Sequence, residues 1–65
     1  MQSEWELVFR REGEPDEVVS MSADNLRPGD EFHRSGIHWV VTKDDGRSSL
    51  DGHAARLICE PATSQ

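Results

Sequence analysis

Several features that mark familiar functional classes are missing from this 65-residue chain. It has one cysteine, Cys59, so no internal disulfide can form and a disulfide-stapled secreted scaffold is excluded. No apolar run approaches the roughly 18 residues of a membrane-spanning helix, and the first residues lack the basic and then apolar regions of a secretory signal. We therefore expect a cytoplasmic protein without a membrane contact.

The short motifs that accompany catalysis or nucleotide binding are also missing. There is no glycine-rich dinucleotide loop, no phosphate-binding loop and no His-Glu-x-x-His pattern, and the serines fall in turns and at strand ends without a nucleophile elbow. A single core of this size typically buries only about 60% of the surface of the unfolded chain, which leaves no room for a large enclosed active site. The prediction is a protein without catalytic activity and without a cofactor.

Acidic residues are in excess, with thirteen Asp and Glu against seven Lys and Arg, and the net charge is −6. The excess lies in residues 1–31, because the charges of residues 32–65 cancel. An acidic half suits a basic protein partner or imitates a phosphate backbone, although charge of this size also keeps a small domain soluble. We predict a binding or regulatory module that contacts a protein partner through an acidic face. Its predicted contact residues are Glu12, Glu14, Asp16, Glu17, Asp30 and Glu31.

The alternation of apolar and polar residues predicts a single small all-β domain over residues 1–61. Residues 4–11 and 16–21 are expected to be the strands of a first hairpin, because a Glu-Gly-Glu-Pro turn lies between them. Residues 31–34 and 37–42 are expected to form a second hairpin around a Ser-Gly turn.

The remaining segments connect and complete these hairpins. A single helical turn capped by Ser22 is expected to lead into a type II turn at Pro28-Gly29. Residues 54–60 fit either a short helix or a closing strand, and we favour the strand because it would cover a sheet edge. Residues 62–65 are expected to form a flexible tail.

The second hairpin also predicts where the core lies. Its short turn places His33 opposite His38 and Phe32 opposite Trp39. Val41 lies on the same face as Trp39, since side chains alternate along a strand. We expect the aromatic pair to form the centre of the core.

Two segments carry a recognisable pattern of turn and strand. Residues 24–30 read Asp-Asn-Leu-Arg-Pro-Gly-Asp, and residues 36–41 read Gly-Ile-His-Trp-Val-Val. An L-x-P-G-D turn followed by a hairpin with glycine at its tip resembles small SH3-like barrels of the KOW type, such as that at the start of bacterial elongation factor P. The resemblance covers roughly half the chain and supports a fold more than a function.

The predicted fold is accordingly a five-stranded SH3-like barrel or a strongly bent antiparallel sheet, with at most one short helical turn. One departure from the resemblance bears on function. The loop that presents a basic residue in elongation factor P has Lys43 beside Asp44 and Asp45 here. Translation-factor activity is therefore not implied.

Nucleic-acid binding is the alternative function. Arg34, Arg47 and Arg56, with Lys43 and Trp39, combine basic and aromatic groups in the neutral half of the chain, as a KOW-like surface would. A net charge of −6 repels a phosphate backbone unless the two halves of the chain present separate faces. We therefore predict a protein partner and keep nucleic acid as the alternative partner.

A zinc site is a lesser alternative. Neutral nitrogen and sulfur ligands of the kind that tetrahedral zinc accepts are His33, His38, His53 and Cys59. The simpler interpretation places the histidines on solvated surfaces and Cys59 in the core, so no metal is predicted. An exposed strand edge can pair with a second copy of the chain, which leaves both a monomer and a homodimer open.

Overall fold

The computed structural model describes residues 2–62, and these residues form one strongly curled sheet of five strands. No helix occurs among them, so the all-β prediction is confirmed. The strands are β1 (Ser3–Phe9), β2 (Glu17–Ala23), β3 (Glu31–Arg34), β4 (Ile37–Asp44) and β5 (His53–Pro61). Positions 63–65 of the expected tail lie outside the described residues, and Ala62 donates a backbone hydrogen bond of 2.8 Å to the carbonyl oxygen of His38.

The strands follow the order β2-β1-β5-β4-β3 across the sheet. β1 pairs with β5 in parallel while the other neighbours are antiparallel, so the sheet is mixed rather than purely antiparallel. β5 has an extra residue between His53 and Arg56, and β4 has one between Val41 and Lys43. Such bulges bend a strand and increase its twist, which helps to curl the sheet into a half-barrel.

The parallel pairing of β1 with β5 is buried on both faces of the sheet. Consecutive residues of a strand point to opposite faces, so a strand with three buried residues in a row must be covered on both sides. The paired residues are Leu7, Val8 and Phe9 of β1 with Leu57, Ile58 and Cys59 of β5, and none is more than 4% exposed.

The larger core lies on the concave face. Its buried members are Leu7, Phe9, Trp39, Val41, Leu57 and Cys59. The ring of Phe9 packs edge to face against Trp39 and Phe32, with centroids 4.7 and 5.9 Å away. Phe32 and Trp39 are cross-strand neighbours as predicted. Phe9, from the other hairpin, is the ring that packs against both.

The turns before and after β3 have the predicted geometry. Ser35 and Gly36 have φ values of 53° and 77°, and a type I′ hairpin turn requires positive φ at both central residues. The resulting register places His33 opposite His38, as expected. Gly29 has a φ of 100°, which suits the third position of a type II turn, and its N–H donates to the carbonyl oxygen of Val41 at 2.8 Å.

Two other segments carry weaker sequence signals. The helical turn expected after Ser22 is wrong, because Ser22 and Ala23 continue β2 and pair with β1. The Ser22 hydroxyl donates a hydrogen bond to the Glu4 carboxylate across the strands instead of capping a helix. Residues 54–60, for which we favoured a strand over a helix, belong to β5, so that choice is confirmed.

β2 and β3 are the two edges of the sheet, and the curl brings them toward each other without joining them. No Cα atom of either strand, both fully described, lies within 8 Å of the other strand. The architecture is therefore a half-barrel, compatible with an SH3-like barrel. The side chains of Arg34 and Glu17 span the gap between the edges.

Phe9→Ala and Trp39→Ala should each lower the free energy of unfolding by about 3–5 kcal/mol, because each removes a buried ring and leaves a cavity. Chemical denaturation followed by circular dichroism measures the change. Leu50→Ala is the control, since this apolar side chain is 40% exposed, and it should cost less than about 1 kcal/mol. A Trp39→Ala variant as stable as the control would place Trp39 outside the core.

Candidate functional site

The open end of the half-barrel contains a cleft of about 190 Å³ between the β1–β2 turn and the β3–β4 turn. Buried Phe9 and Trp39 form its apolar floor with the half-buried Ile37. Residues from the two turns and the adjoining strand ends form its rim. The rim residues are Arg11, Glu14, Pro15, Glu17, Arg34 and Ser35. We refer to this surface as the cleft.

Arg34 is placed in the cleft by the alternation of β3. Phe32 faces the core, so Arg34, two residues later, points to the same concave side. Its guanidinium carbon lies 4.6 Å from the centroid of the Phe9 ring. Its two terminal nitrogens donate to the two carboxylate oxygens of Glu17 at 3.4 and 3.2 Å, which is a bidentate pair. One side chain thus contacts the cleft floor and the opposite edge of the sheet.

Two further arginines neutralise acids of the β1–β2 turn. Arg11 lies 3.5 Å from Glu14, three residues away on the cleft rim. Arg10 donates through two nitrogens to the Asp16 carboxylate at 3.3 and 3.2 Å, and these hydrogen bonds raise the pKa of Arg10. The turn therefore presents carboxylates and guanidinium groups side by side rather than acids alone.

The six predicted contact residues fall into two groups in space. Glu12, Glu14, Asp16 and Glu17 belong to the cleft end of the molecule, in the β1–β2 turn and at the start of β2. Within residues 2–62, Glu12 is the one of these four with no side-chain cation partner.

Asp30 and Glu31 form the second group, at the other end of β3. The Asp30 carboxylate accepts a hydrogen bond of 3.0 Å from the backbone N–H of Arg27 and so stabilises the turn formed by residues 27–30. A Glu31 carboxylate oxygen lies 2.7 Å from Nε2 of His38. The structure therefore brings together four of the six residues predicted for one face.

The ion pairs of the cleft are surface pairs. The side chains of Glu14 and Glu17 are 56% and 59% exposed, and that of Arg34 is 29% exposed. Exposed pairs of this kind typically contribute at most about 1 kcal/mol, because water screens the attraction and two long side chains lose freedom. An incoming charged group can therefore replace either partner at small cost.

Of the three arginines of the nucleic-acid alternative, Arg34 lies apart from the other two, whereas the Arg56 backbone N–H donates to the carbonyl oxygen of Gly46, the neighbour of Arg47. Arg34 is held in the cleft, and Arg47 is exposed in the loop between β4 and β5. Arg56 extends from β5 toward Asp45, with its Nε 3.3 Å from a carboxylate oxygen but without hydrogen-bond geometry. Trp39 is buried, so it offers no exposed platform on which a base can stack.

The four zinc-ligand candidates also lie apart. His33 and His38 stack at 4.6 Å between ring centroids on the outer face of their hairpin, whereas Cys59 is buried in the concave core. Burial raises the pKa of the Cys59 thiol to about 11, which disfavours the thiolate that binds metals. Among the described residues, no three His, Cys, Asp or Glu side chains are grouped so as to hold a metal ion.

Glu6 is a buried carboxylate that no sequence motif indicates as a site residue. It is 3% exposed and accepts hydrogen bonds from the Ser48 hydroxyl at 2.6 Å and the Ser49 N–H at 3.1 Å. These bonds, that of Ser48 foremost, lower the pKa of Glu6 although burial opposes the shift. Glu6 therefore anchors the β4–β5 loop on the convex face. The alternation of side chains along β1 predicts that Glu6 points away from the concave core. It does not predict the partners of Glu6, because these lie about forty residues further along the chain.

His53 belongs to a second polar cluster on the convex face. Its Nε2 lies 2.7 Å from the Ser20 hydroxyl oxygen, and its Nδ1 lies 3.1 Å from the backbone carbonyl oxygen of Asp51. Ser22 and Ser20 both hydrogen-bond to the Glu4 carboxylate, and together they lower its pKa. These contacts tie β2, β1 and β5 together away from the cleft.

Comparisons with protein-family models, curated proteins and solved structures found no match for this chain. The half-barrel is compatible with an SH3-like barrel, and the KOW-type resemblance stays a prediction. Residues 2–62 include no helix long and apolar enough to span a membrane.

Glu6→Gln should destabilise the protein by on the order of 1–3 kcal/mol near neutral pH, because it replaces the buried charged acceptor of the Ser48 and Ser49 hydrogen bonds with a weaker, neutral one. The folded-state pKa of Glu6 is lowered from 4.5, so its carboxylate stabilises the fold above about pH 4.5 and that contribution is lost as the pH falls through the folded value. The variant should therefore lose less stability than the wild type on acidification.

Urea denaturation at a series of pH values between about 3 and 7 measures this difference. Glu12→Gln is the matched control, because Glu12 is exposed and has no side-chain cation partner within residues 2–62. It should change the free energy of unfolding by less than about 0.5 kcal/mol. A wild type and a Glu6→Gln variant with the same acid-induced loss of stability would contradict the role given to Glu6.

Proposed function

We propose that this protein is a non-catalytic binding module that contacts a protein partner through the cleft and the acidic residues of the adjoining β1–β2 turn. The cleft supports this function because it combines an apolar floor of Phe9, Ile37 and Trp39 with charged groups that are free to exchange partners. Apolar pockets ringed by polar groups are where protein interfaces concentrate their binding energy.

The size of the cleft favours a protein side chain over a small-molecule ligand. Pockets for cofactors and similar ligands usually measure about 300–1,000 Å³. The cleft measures about 190 Å³ and is shared between two turns. A volume of this size accepts one anchoring side chain, while the rest of a partner lies across the rim.

The charge of the cleft end of the molecule favours a basic partner. On the rim itself, Glu14 and Glu17 balance Arg11 and Arg34, and the adjoining β1–β2 turn adds Glu12 and Asp16 against Arg10. The remaining net charge of the molecule is also negative. Such a field attracts a positively charged surface and speeds its approach, in a manner that salt weakens.

Site-specific photo-crosslinking tests where the partner binds. A photoreactive residue at position 35 lies on the cleft rim, and one at the exposed position 51 lies in the β4–β5 loop as a matched control. We expect a protein adduct from position 35 that persists after nuclease treatment. Adducts only from position 51 would reject the cleft, and adducts lost with nuclease would favour the nucleic-acid alternative.

Reversing the charge of the rim should slow association with the crosslinked partner. Glu14→Lys combined with Glu17→Lys should reduce the association rate by about tenfold at low salt, and the difference should shrink as salt rises. Stopped-flow or surface-plasmon measurements at several salt concentrations give the rates.

Two further variants make this test specific. Asp44→Lys with Asp51→Lys makes the same change in net charge on residues that do not line the cleft. Glu12→Lys combined with Glu14→Lys leaves the ion pair between Arg34 and Glu17 intact. A slower association of this variant therefore cannot be attributed to unfolding caused by the loss of that pair. Equal association rates for the variants at Glu12, Glu14 and Glu17 and for the Asp44 and Asp51 variant would refute a role of these three carboxylates in binding.

A further inference from the structure

The cleft already contains a guanidinium group, that of Arg34. It lies over the Phe9 ring at 4.6 Å and pairs through two nitrogens with Glu17. An aromatic face and a bidentate carboxylate are the two contacts by which proteins recognise arginine in preference to lysine. The cleft therefore has the chemistry of an arginine site, and one of the chain's own side chains occupies it.

The contacts of Arg34 can be exchanged. Its partner Glu17 is mostly exposed, and the two residues lie on opposite edges of a sheet that the backbone leaves open. No backbone hydrogen bonds join β2 to β3. The Arg34 side chain can therefore move without breaking any backbone pairing between the two edge strands. The exchange of one guanidinium for another costs little, since each makes the same type of contact.

Two neighbouring groups extend the site beyond a single ion pair. Glu14 stands on the same rim, with its carboxylate 3.5 Å from Arg11 and more than half exposed. Trp39 lines the cleft, and its buried indole N–H has no acceptor within residues 2–62. Glu14 therefore offers an entering segment a second carboxylate, and Trp39 adds apolar surface to the floor.

We infer that the partner inserts an arginine side chain between Phe9 and Glu17, and that Arg34 masks this site until the partner displaces it. This inference rests on the proposed function, because it names the chemistry of the group that enters the same cleft. It assigns Arg34 two properties. Arg34 holds the free protein's edges together, and it competes with the partner for the site.

A titration with a minimal ligand tests the masking. The probe is N-acetyl-arginine amide, and the comparison compound is N-acetyl-lysine amide. Arg34→Ala should bind the arginine probe about threefold to sixfold more tightly than the wild type, because the competing guanidinium is gone. The indole N–H resonance of Trp39 should shift during the titration, while that of Trp5, which donates to the Ala23 carbonyl, should not.

Three variants separate recognition from folding. Arg34→Gln removes the charge but keeps most of the stem that packs on Phe9, so it serves where Arg34→Ala fails to fold. Arg34→Ala combined with Glu17→Gln should lose the gained affinity, because the carboxylate that receives the probe is absent. Arg47→Ala, which removes an exposed arginine outside the cleft, should bind the probe as the wild type does.

The outcomes distinguish this inference from the proposed function. Equal binding of the arginine probe to the wild type and Arg34→Ala, or equal binding of the arginine and lysine probes to Arg34→Ala, overturns the arginine site. That result leaves crosslinking from position 35 unaffected. Tighter binding by Arg34→Ala that Glu17→Gln abolishes supports the arginine site, even where crosslinking rejects the cleft as the surface for a protein.

Discussion

The parallel pairing of β1 with β5 is the interaction on which the rest of the structure depends. It joins the first hairpin to the three strands of the second half of the chain, and it buries six residues that cover both faces of the sheet. A parallel pair needs a long crossover, so it forms only when the intervening chain, residues 10–52, is correctly placed. The small core therefore depends on a contact with one of the longest sequence separations in the molecule.

The cleft is a consequence of this arrangement. With β1 and β5 in the middle, β2 and β3 become the edges, and a sheet of five short strands curls without closing. Phe9 lies at the end of β1 beside that opening, where it meets Phe32 and Trp39 from the second hairpin. The opening thus has an aromatic floor, and the edge residues Arg34 and Glu17 reach across it.

The distribution of charge along the sequence differs from its distribution over the folded molecule. Residues 1–31 carry the whole net charge, yet Glu17 pairs with Arg34, and the Glu6 carboxylate faces Ser48, Ser49 and Arg56. Cations and hydrogen-bond donors of the second half thereby reach acids of the first. The predicted acidic face consequently becomes a rim of exchangeable ion pairs, and Asp30 and Glu31 stand apart from it at the other end of β3.

The sequence by itself determined the strands, the turns and the register of the second hairpin. Period-two alternation and the positive φ that a Ser-Gly turn adopts act over a few residues, so they can be read directly, as the pairs of His33 with His38 and of Phe32 with Trp39 confirm. The prediction of a helix cap at Ser22 was wrong because a serine hydroxyl can cap a helix or form a hydrogen bond from an edge strand. Its partner, here the Glu4 carboxylate, decides between the two, and the local sequence does not identify that partner.

Only the tertiary structure decided the parallel pairing, the anchoring of the β4–β5 loop by Glu6, and the placement of Arg34 over Phe9 against Glu17. These contacts join residues between 17 and 50 positions apart. Such distant partners meet only in the assembled sheet, and the energy of each contact depends on the burial and geometry of the folded molecule. Local pattern carries no information about them, because the same alternation is satisfied by many ways of ordering five strands.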